Sequence, residues 1–125
     1  MFCIQTASQD FLAGRFLSKD QLRVPDYLEH IHASIERIHR YTDGFTEPAF
    51  LENEQVQDAV LRNIEIIGEA ARNIVRSDPD FVSQHSEVPW EEVYLMRNRI
   101  CHGYFSVDLE IVWHTVLRYI PELEL

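Results

Sequence analysis

Apolar residues recur at helical spacing in four stretches of the chain after residue 24, and each stretch predicts one helix. The first helix is predicted to follow Pro25 and to end near Thr42, Asp43 and Gly44, where the glycine is a stop signal. Its apolar stripe has spacings of three, four and three residues and consists of Leu28, Ile31, Ile35 and Ile38.

The second predicted helix is the longest and is expected to be capped by Asn53. It should end at Ser77-Asp78-Pro79, and Gly68 with the pair Ala70-Ala71 should allow another helix to approach closely. We therefore expect the second helix to contribute both to the core and to a dimer contact. Its expected core positions are Val56, Val60, Ile64, Ile67, Ala71 and Ile74.

The third and fourth helices complete the predicted fold. The third should begin near Pro89 and run to Gly103, and the fourth should be capped by Ser106 or Asp108 and stopped by Pro121. Four helices with short connections predict an all-α, antiparallel four-helix bundle. The expected core positions of these two helices are Val93, Leu95, Met96, Ile100, Leu109, Val112, Trp113, Val116, Leu117 and Ile120.

Composition and charge set limits on the partners. The 125 residues form one domain-sized chain with 46% apolar residues and a net charge of −10, which repels nucleic acid and anionic membranes over most of the surface. The two cysteines are too few for a disulfide framework and fit a reducing compartment, and no secretory signal or membrane-spanning stretch is evident. We therefore expect a cytoplasmic protein with no membrane partner, in which any RNA contact comes from a local basic site.

Residues 1–24 differ from the rest in charge and pattern. They carry three basic and two acidic side chains, a net +1, against −11 for residues 25–125. We interpret residues 1–24 as a loosely attached, mobile N-terminal extension and residues 25–125 as the helical domain.

The densest group of polar side chains runs from Arg97 to Tyr104, and no acidic residue occurs between residues 95 and 107. On a continuous helix, Asn98 and His102 would share a face, so Asn98 could orient the imidazole, and the negative helix end would favour the imidazolium. A histidine that moves protons beside a guanidinium that holds a phosphate has the two functions that metal-free RNA cleavage needs. By spacing alone, however, a solvated helix end with an ordinary histidine is the more frequent explanation of such a pair.

The segment Arg97-Asn98-Arg99-Ile100-Cys101-His102-Gly103-Tyr104 resembles the Arg-Asn-x-x-x-His-x-Tyr signature of HepT-like toxins, a branch of the HEPN-domain ribonucleases. Residues 57–71, Pro89-Trp90 and residues 105–113 resemble the segments that precede and follow this signature in the family, so the likeness covers about residues 25–123. It implies a HEPN-type homodimer that cleaves RNA without a metal or other cofactor.

The same resemblance implies functions for individual residues and a partner. Arg97 and His102 would be catalytic, Asn98 would support them, Arg99 would bind substrate phosphate, and Tyr104 would be the residue that receives AMP. The enzyme that adds the AMP would be a small MntA-like nucleotidyltransferase antitoxin.

Two other interpretations remain. A HEPN module without catalytic activity could serve only to engage a nucleotidyltransferase, although Arg97 and His102 are both intact. A di-metal oxidase bundle is disfavoured. The two Glu-x-x-His motifs of this chain, Glu29–His32 and Glu36–His39, lie on one predicted helix and cannot converge on one metal pair.

Glu65, Glu69 and Arg72 are expected to form a salt-bridged face of the second helix, with a cleft or dimer function as the secondary interpretation.

Overall fold

A computed structural model describes residues 23–102 and 106–123 of the chain, and His102 at its backbone. The first helix, α1 (Val24–Thr42), begins one residue before Pro25, and the Arg23 backbone N–H donates to the Asp26 carboxylate at 3.0 Å. It ends before Gly44, whose φ of +75° is the left-handed conformation that favours glycine. The predicted extension, residues 1–24, lies almost wholly outside the described residues.

The next elements follow the predicted stop and start signals. A short helix, α2 (Glu47–Leu51), precedes the long helix α3 (Glu54–Ser77), and the Asn53 side chain accepts a hydrogen bond from the Val56 N–H at 3.0 Å. The predicted cap of α3 is therefore confirmed. A further short helix, α4 (Pro79–Gln84), begins at Pro79, where sequence analysis predicted only the end of α3.

The third predicted helix is shorter than expected. Helix α5 (Trp90–Ile100) ends three residues before Gly103, because Cys101 adopts an extended conformation with φ −101° and ψ 129°. The chain then forms two short antiparallel strands, β1 (Cys101–His102) and β2 (Ser106–Val107), in which Cys101 pairs with Val107 and His102 with Ser106. The prediction of an uninterrupted helix up to Gly103 is thus wrong, and a small hairpin joins the last two helical segments.

The final helical segment is irregular. Helix α6 (Leu109–His114) is capped by Asp108, one of the two predicted caps, whose carboxylate accepts from the Ile111 N–H at 3.2 Å. It continues as a π-helix (Thr115–Tyr119) and then as α7 (Ile120–Glu122), so the helix runs past Pro121 rather than stopping there. The wider π turn breaks the 3.6-residue period, and Leu117, predicted to be in the core, is 56% exposed.

Helix α3 is central to the core, because it packs against both α1 and α5. All predicted α3 core positions are buried except Val56, which is half-buried, whereas Leu28 of α1 is exposed and Tyr27 is buried in its place. The described residues are predominantly helical, as the bounds of the elements show, and this agrees with the predicted all-α class. The largest fully buried apolar side chains are Phe50, Ile35, Ile38, Ile64, Ile67, Ile74, Ile100, Ile120, Val60 and Val112.

Gly68 lies against the backbone of α5, in agreement with the prediction that another helix approaches closely there. A Cβ added at Gly68 would lie 3.5 Å from the Val93 carbonyl oxygen and 3.6 Å from that of Tyr94, both on α5. These are ordinary van der Waals distances, so one methyl group fits, while a longer side chain would meet α5 backbone.

We expect Gly68→Ala to raise the free energy of unfolding by up to about 1 kcal/mol, because alanine favours the helix and its methyl group fits. Gly68→Leu should lower it by about 1–3 kcal/mol through overpacking against α5. Urea denaturation measures both values. Marked destabilisation by Gly68→Ala would contradict the helix separation described above.

Candidate active site

The basic end of α5 carries three of the predicted site residues. Arg97, Asn98 and Arg99 lie in the last turn of α5, and all three are exposed. The Cys101 backbone N–H donates to the Arg97 carbonyl, so the helical hydrogen bonds end at this motif. The helix end thus presents two guanidinium groups to solvent at the point where the chain enters β1.

Arg97 contacts an acidic residue of a neighbouring helix. Its Nε lies 3.3 Å from Glu65 Oε2 on α3, and each side chain is 47% exposed. This contact and the Gly68 contact fix the direction of the helices: Glu65 precedes Gly68 on α3, while Arg97 follows Val93 on α5. Helices α3 and α5 therefore run antiparallel, and the motif is supported from α3.

Glu65 was assigned a cleft function by sequence analysis only as the secondary interpretation. It was expected to pair along its own helix with Glu69 and Arg72, whereas its ion pair is with a residue 32 positions away. The spacing within α3 carries no information about this partner. The signal that could have found it is the antiparallel register around Gly68, since three residues back on α3 correspond to about three residues forward on α5.

Arg99 lies on another side of α5. Two residues are about 200° apart on an α-helix, and Arg99 lines an open depression with Glu91, Glu92 and Leu95 rather than contacting Glu65. Within one chain, Arg97 and Arg99 therefore do not form a single cationic face. The predicted function of Arg99 in binding substrate phosphate stays a prediction.

The structure corrects the predicted setting of His102. Its backbone lies in β1, two residues beyond the end of α5, so it does not share a helix face with Asn98 and is not in the last helical turn. The predicted orientation of the imidazole by Asn98 across one helical turn therefore loses its basis. The strand pairing of His102 with Ser106 instead fixes the backbone at this position relative to the start of α6.

Tyr104, the predicted site of AMP addition, lies outside the described residues. It follows His102 by two positions and precedes β2 by two, so the paired strands bracket it along the sequence. Its predicted function remains a prediction.

The other candidate residues have structural surroundings that explain them. Trp90 is buried and donates from its indole N–H to the His85 carbonyl at 3.0 Å, and Trp113 packs on Phe50 with ring centroids 5.1 Å apart. Both tryptophans are thus core aromatics, and the predicted core position of Trp113 is confirmed. His85 is only half-buried and stacks on Phe81 with centroids 4.4 Å apart.

In the two Glu-x-x-His motifs of α1, Glu29, His32 and Glu36 are exposed, and His39 is half-buried. His32 Nε2 lies 2.9 Å from Glu36 Oε1, and both side chains are at least 60% exposed. Among residues 23–102 and 106–123, no three His, Cys, Asp or Glu side chains are grouped as a metal site would require. In the same part of the chain, no helix has both the length and the apolar character needed to cross a membrane.

The described residues thus form a small helical domain with an Arg-x4-His motif. Arg97 begins the motif in an exposed helical turn, and His102 ends it. Residues 31–125 match the family described as Ribonuclease HepT-like. The chain belongs to this family of HepT-like ribonucleases.

Two curated relatives illustrate the family. A protein named "Probable ribonuclease HepT" from Thermococcus cleftensis is 43% identical over 99 residues, which cover 79% of this chain and 87% of the relative. "Putative RNase TTE0752" from Caldanaerobacter subterraneus subsp. tengcongensis is 40% identical over 98 residues, which cover 78% of this chain and 85% of the relative. No solved structure matches the chain.

Proposed function

We propose that the chain is the ribonuclease toxin of a toxin–antitoxin pair and cleaves RNA without a metal ion. The observation that carries the proposal is the placement of Arg97 at the exposed end of α5, with His102 in the strand that directly follows. Membership in the HepT-like ribonuclease family supports RNA as the substrate.

The chemistry needs two side chains. In cleavage by an internal nucleophile, the RNA 2′-oxygen attacks phosphorus, the 2′-hydroxyl proton is removed and the departing oxygen is protonated. His102 would move one of these protons, and Arg97 would stabilise the negative charge that grows on the phosphoryl oxygens. Asn98 and Arg99, both exposed on the same turn, would support the site and bind a substrate phosphate.

A second copy of the chain is part of the proposal. One protomer places few cations at the motif of a chain whose net charge is −10, and its two arginines lie on different sides of α5. A homodimer would bring two copies of Arg97 and Arg99 to one cleft and so strengthen phosphate binding there. The antitoxin would be an MntA-like nucleotidyltransferase that adds AMP to Tyr104.

Cleavage in a chelator tests the proposal. The purified chain should cut a hairpin RNA with an unpaired 3′ end in excess EDTA, and should cut a long duplex of the same sequence poorly. Analytical ultracentrifugation at the assay concentration should find a dimer. Gel analysis of the products distinguishes cleavage from the end and within the strand.

Three results would count against parts of this proposal. Activity that is lost in EDTA and restored by Mg²⁺ would require a metal mechanism. An active monomer would contradict the shared cleft. A well-folded dimer that cuts no RNA but binds a nucleotidyltransferase would identify a binding module without catalytic activity.

A further inference from the structure

The Glu65–Arg97 ion pair links the proposed catalytic arginine to α3. The Glu65 carboxylate contacts Nε of the guanidinium, at 3.3 Å. A guanidinium carries four further N–H donors on its two terminal nitrogens, and those terminal nitrogens form the fork that binds phosphate oxygens in pairs. A carboxylate on Nε therefore restrains the side chain while leaving this fork for substrate.

The location of the contact favours positioning over stability. Both side chains are 47% exposed, and ion pairs of that exposure contribute little to folding because water and salt screen them. A carboxylate next to a phosphate-binding group also repels RNA. Glu65 thus weakens the attraction of Arg97 for substrate phosphate, which is a cost without benefit unless it orients Arg97.

The backbone holds Glu65 at a defined distance from Arg97. Gly68, one turn further along α3, lies against the α5 backbone at Val93 and Tyr94, so the separation of the two helices is fixed close to the ion pair. Arg97 has a long side chain with many rotamers, and one contact from a rigid neighbouring helix removes much of that freedom. The guanidinium is thereby set before substrate arrives.

We infer that Glu65 is a positioning residue for the cleavage reaction, which holds Arg97 through Nε so that its terminal nitrogens meet the scissile phosphate. The inference rests on the proposed ribonuclease function. It assigns Glu65 no contact with RNA and no proton transfer. Loss of this positioning should therefore change the rate at which bound RNA is cleaved rather than the affinity for RNA.

Neutral replacements of Glu65 test the inference, with Asp58→Ala as the matched control. Asp58 is an exposed acidic residue of the same helix, two turns or about 10 Å from Glu65, so its replacement removes the same charge without touching Arg97. Glu65→Ala should lower kcat about 10-fold or more and leave KM for RNA unchanged or lower, because orientation is lost while repulsion is relieved. Glu65→Gln retains an acceptor oxygen for Nε and should recover part of kcat. Asp58→Ala should keep the wild-type kcat.

A spectroscopic measurement follows the ion pair without substrate. The Arg97 Nε–H resonance should exchange more slowly with water in the wild type than in Glu65→Ala, and Asp58→Ala should resemble the wild type. If the wild type is active and Glu65→Ala has an equal or higher kcat, the inference is wrong while the proposed function stands. Identical Nε–H exchange in the two proteins would have the same consequence. A wild type that cuts no RNA would refute the proposed function and the inference with it.

Discussion

Replacing either Arg97 or His102 by alanine is expected to lower the rate of RNA cleavage at least about 100-fold without unfolding the protein. Loss of the arginine removes the cation that stabilises the transition state and should cost about 10²–10³-fold in kcat. Loss of the histidine removes the proton-transfer group and should cost about 10²–10⁴-fold. The measurement is initial cleavage of a labelled hairpin RNA at saturating substrate.

The stability of both variants should stay within about 1 kcal/mol of the wild type. Arg97 is exposed and its ion pair with Glu65 is half-exposed, while the pairing of β1 with β2 is formed by backbone groups. Matched controls are Arg76→Ala at the end of α3 and His114→Ala at the end of α6, because both side chains are exposed and lie in other helices. Cleavage by His102→Ala at the wild-type rate would refute the nuclease mechanism.

Local signals in the sequence were sufficient for the ends of several helices and for the buried face of α3. Asn53 and Asp108 cap α3 and α6 because a short acceptor side chain at the first turn binds a free backbone N–H. The glycine after α1 takes a positive φ, and the apolar period of α3 matches its buried face. In each case the determinant lies within a few residues of the feature it predicts.

The regions that were predicted wrongly depend on non-local or irregular geometry. Helix α5 ends at Ile100 because the next residues form β1, in which Cys101 pairs with Val107 of β2. Strands of only two residues leave no detectable pattern of apolar positions in the sequence. The π-helix changes the period within the last helix, beside Thr115, whose hydroxyl donates to the Ile111 carbonyl at 2.8 Å. A pattern search with a fixed period of 3.6 residues misplaces Leu117 for that reason.

In the candidate site too, residues that are adjacent in the sequence could be predicted, and a contact between helices could not. The motif residues were found by sequence, since they are contiguous and one family signature contains them. Glu65 was not connected to Arg97, because a contact between two helices depends on their separation and register. The Glu65–Arg97 contact changes the expected electrostatics of the motif. The segment from residue 95 to residue 107 lacks acidic residues, yet Arg97 is paired with a carboxylate from α3.

AMP addition at Tyr104 is expected to control the proposed toxin activity. Two residues span at most about 7 Å, so Tyr104 is close along the chain to His102, although it lies outside the described residues. AMP attached to the tyrosine hydroxyl would place a bulky anion in the proposed dimer cleft, to which two protomers would bring their Arg97 and Arg99 side chains. It would compete with substrate phosphate for these cations and obstruct access, so modified protein should lose RNA cleavage while remaining folded.

Tyr104→Phe should keep the ribonuclease activity and resist neutralisation by an active nucleotidyltransferase, because phenylalanine has no hydroxyl to accept AMP. Intact-mass analysis of wild-type protein co-expressed with that enzyme should show additions of about 329 Da per AMP, the nucleotide less water, that map to Tyr104. Tyr94→Phe on α5 is the matched control, and it should be neutralised like the wild type. A fully neutralised complex in which Tyr104 carries no AMP would instead mean that the antitoxin inhibits by covering the cleft, since occlusion blocks access to Arg97 without any covalent change.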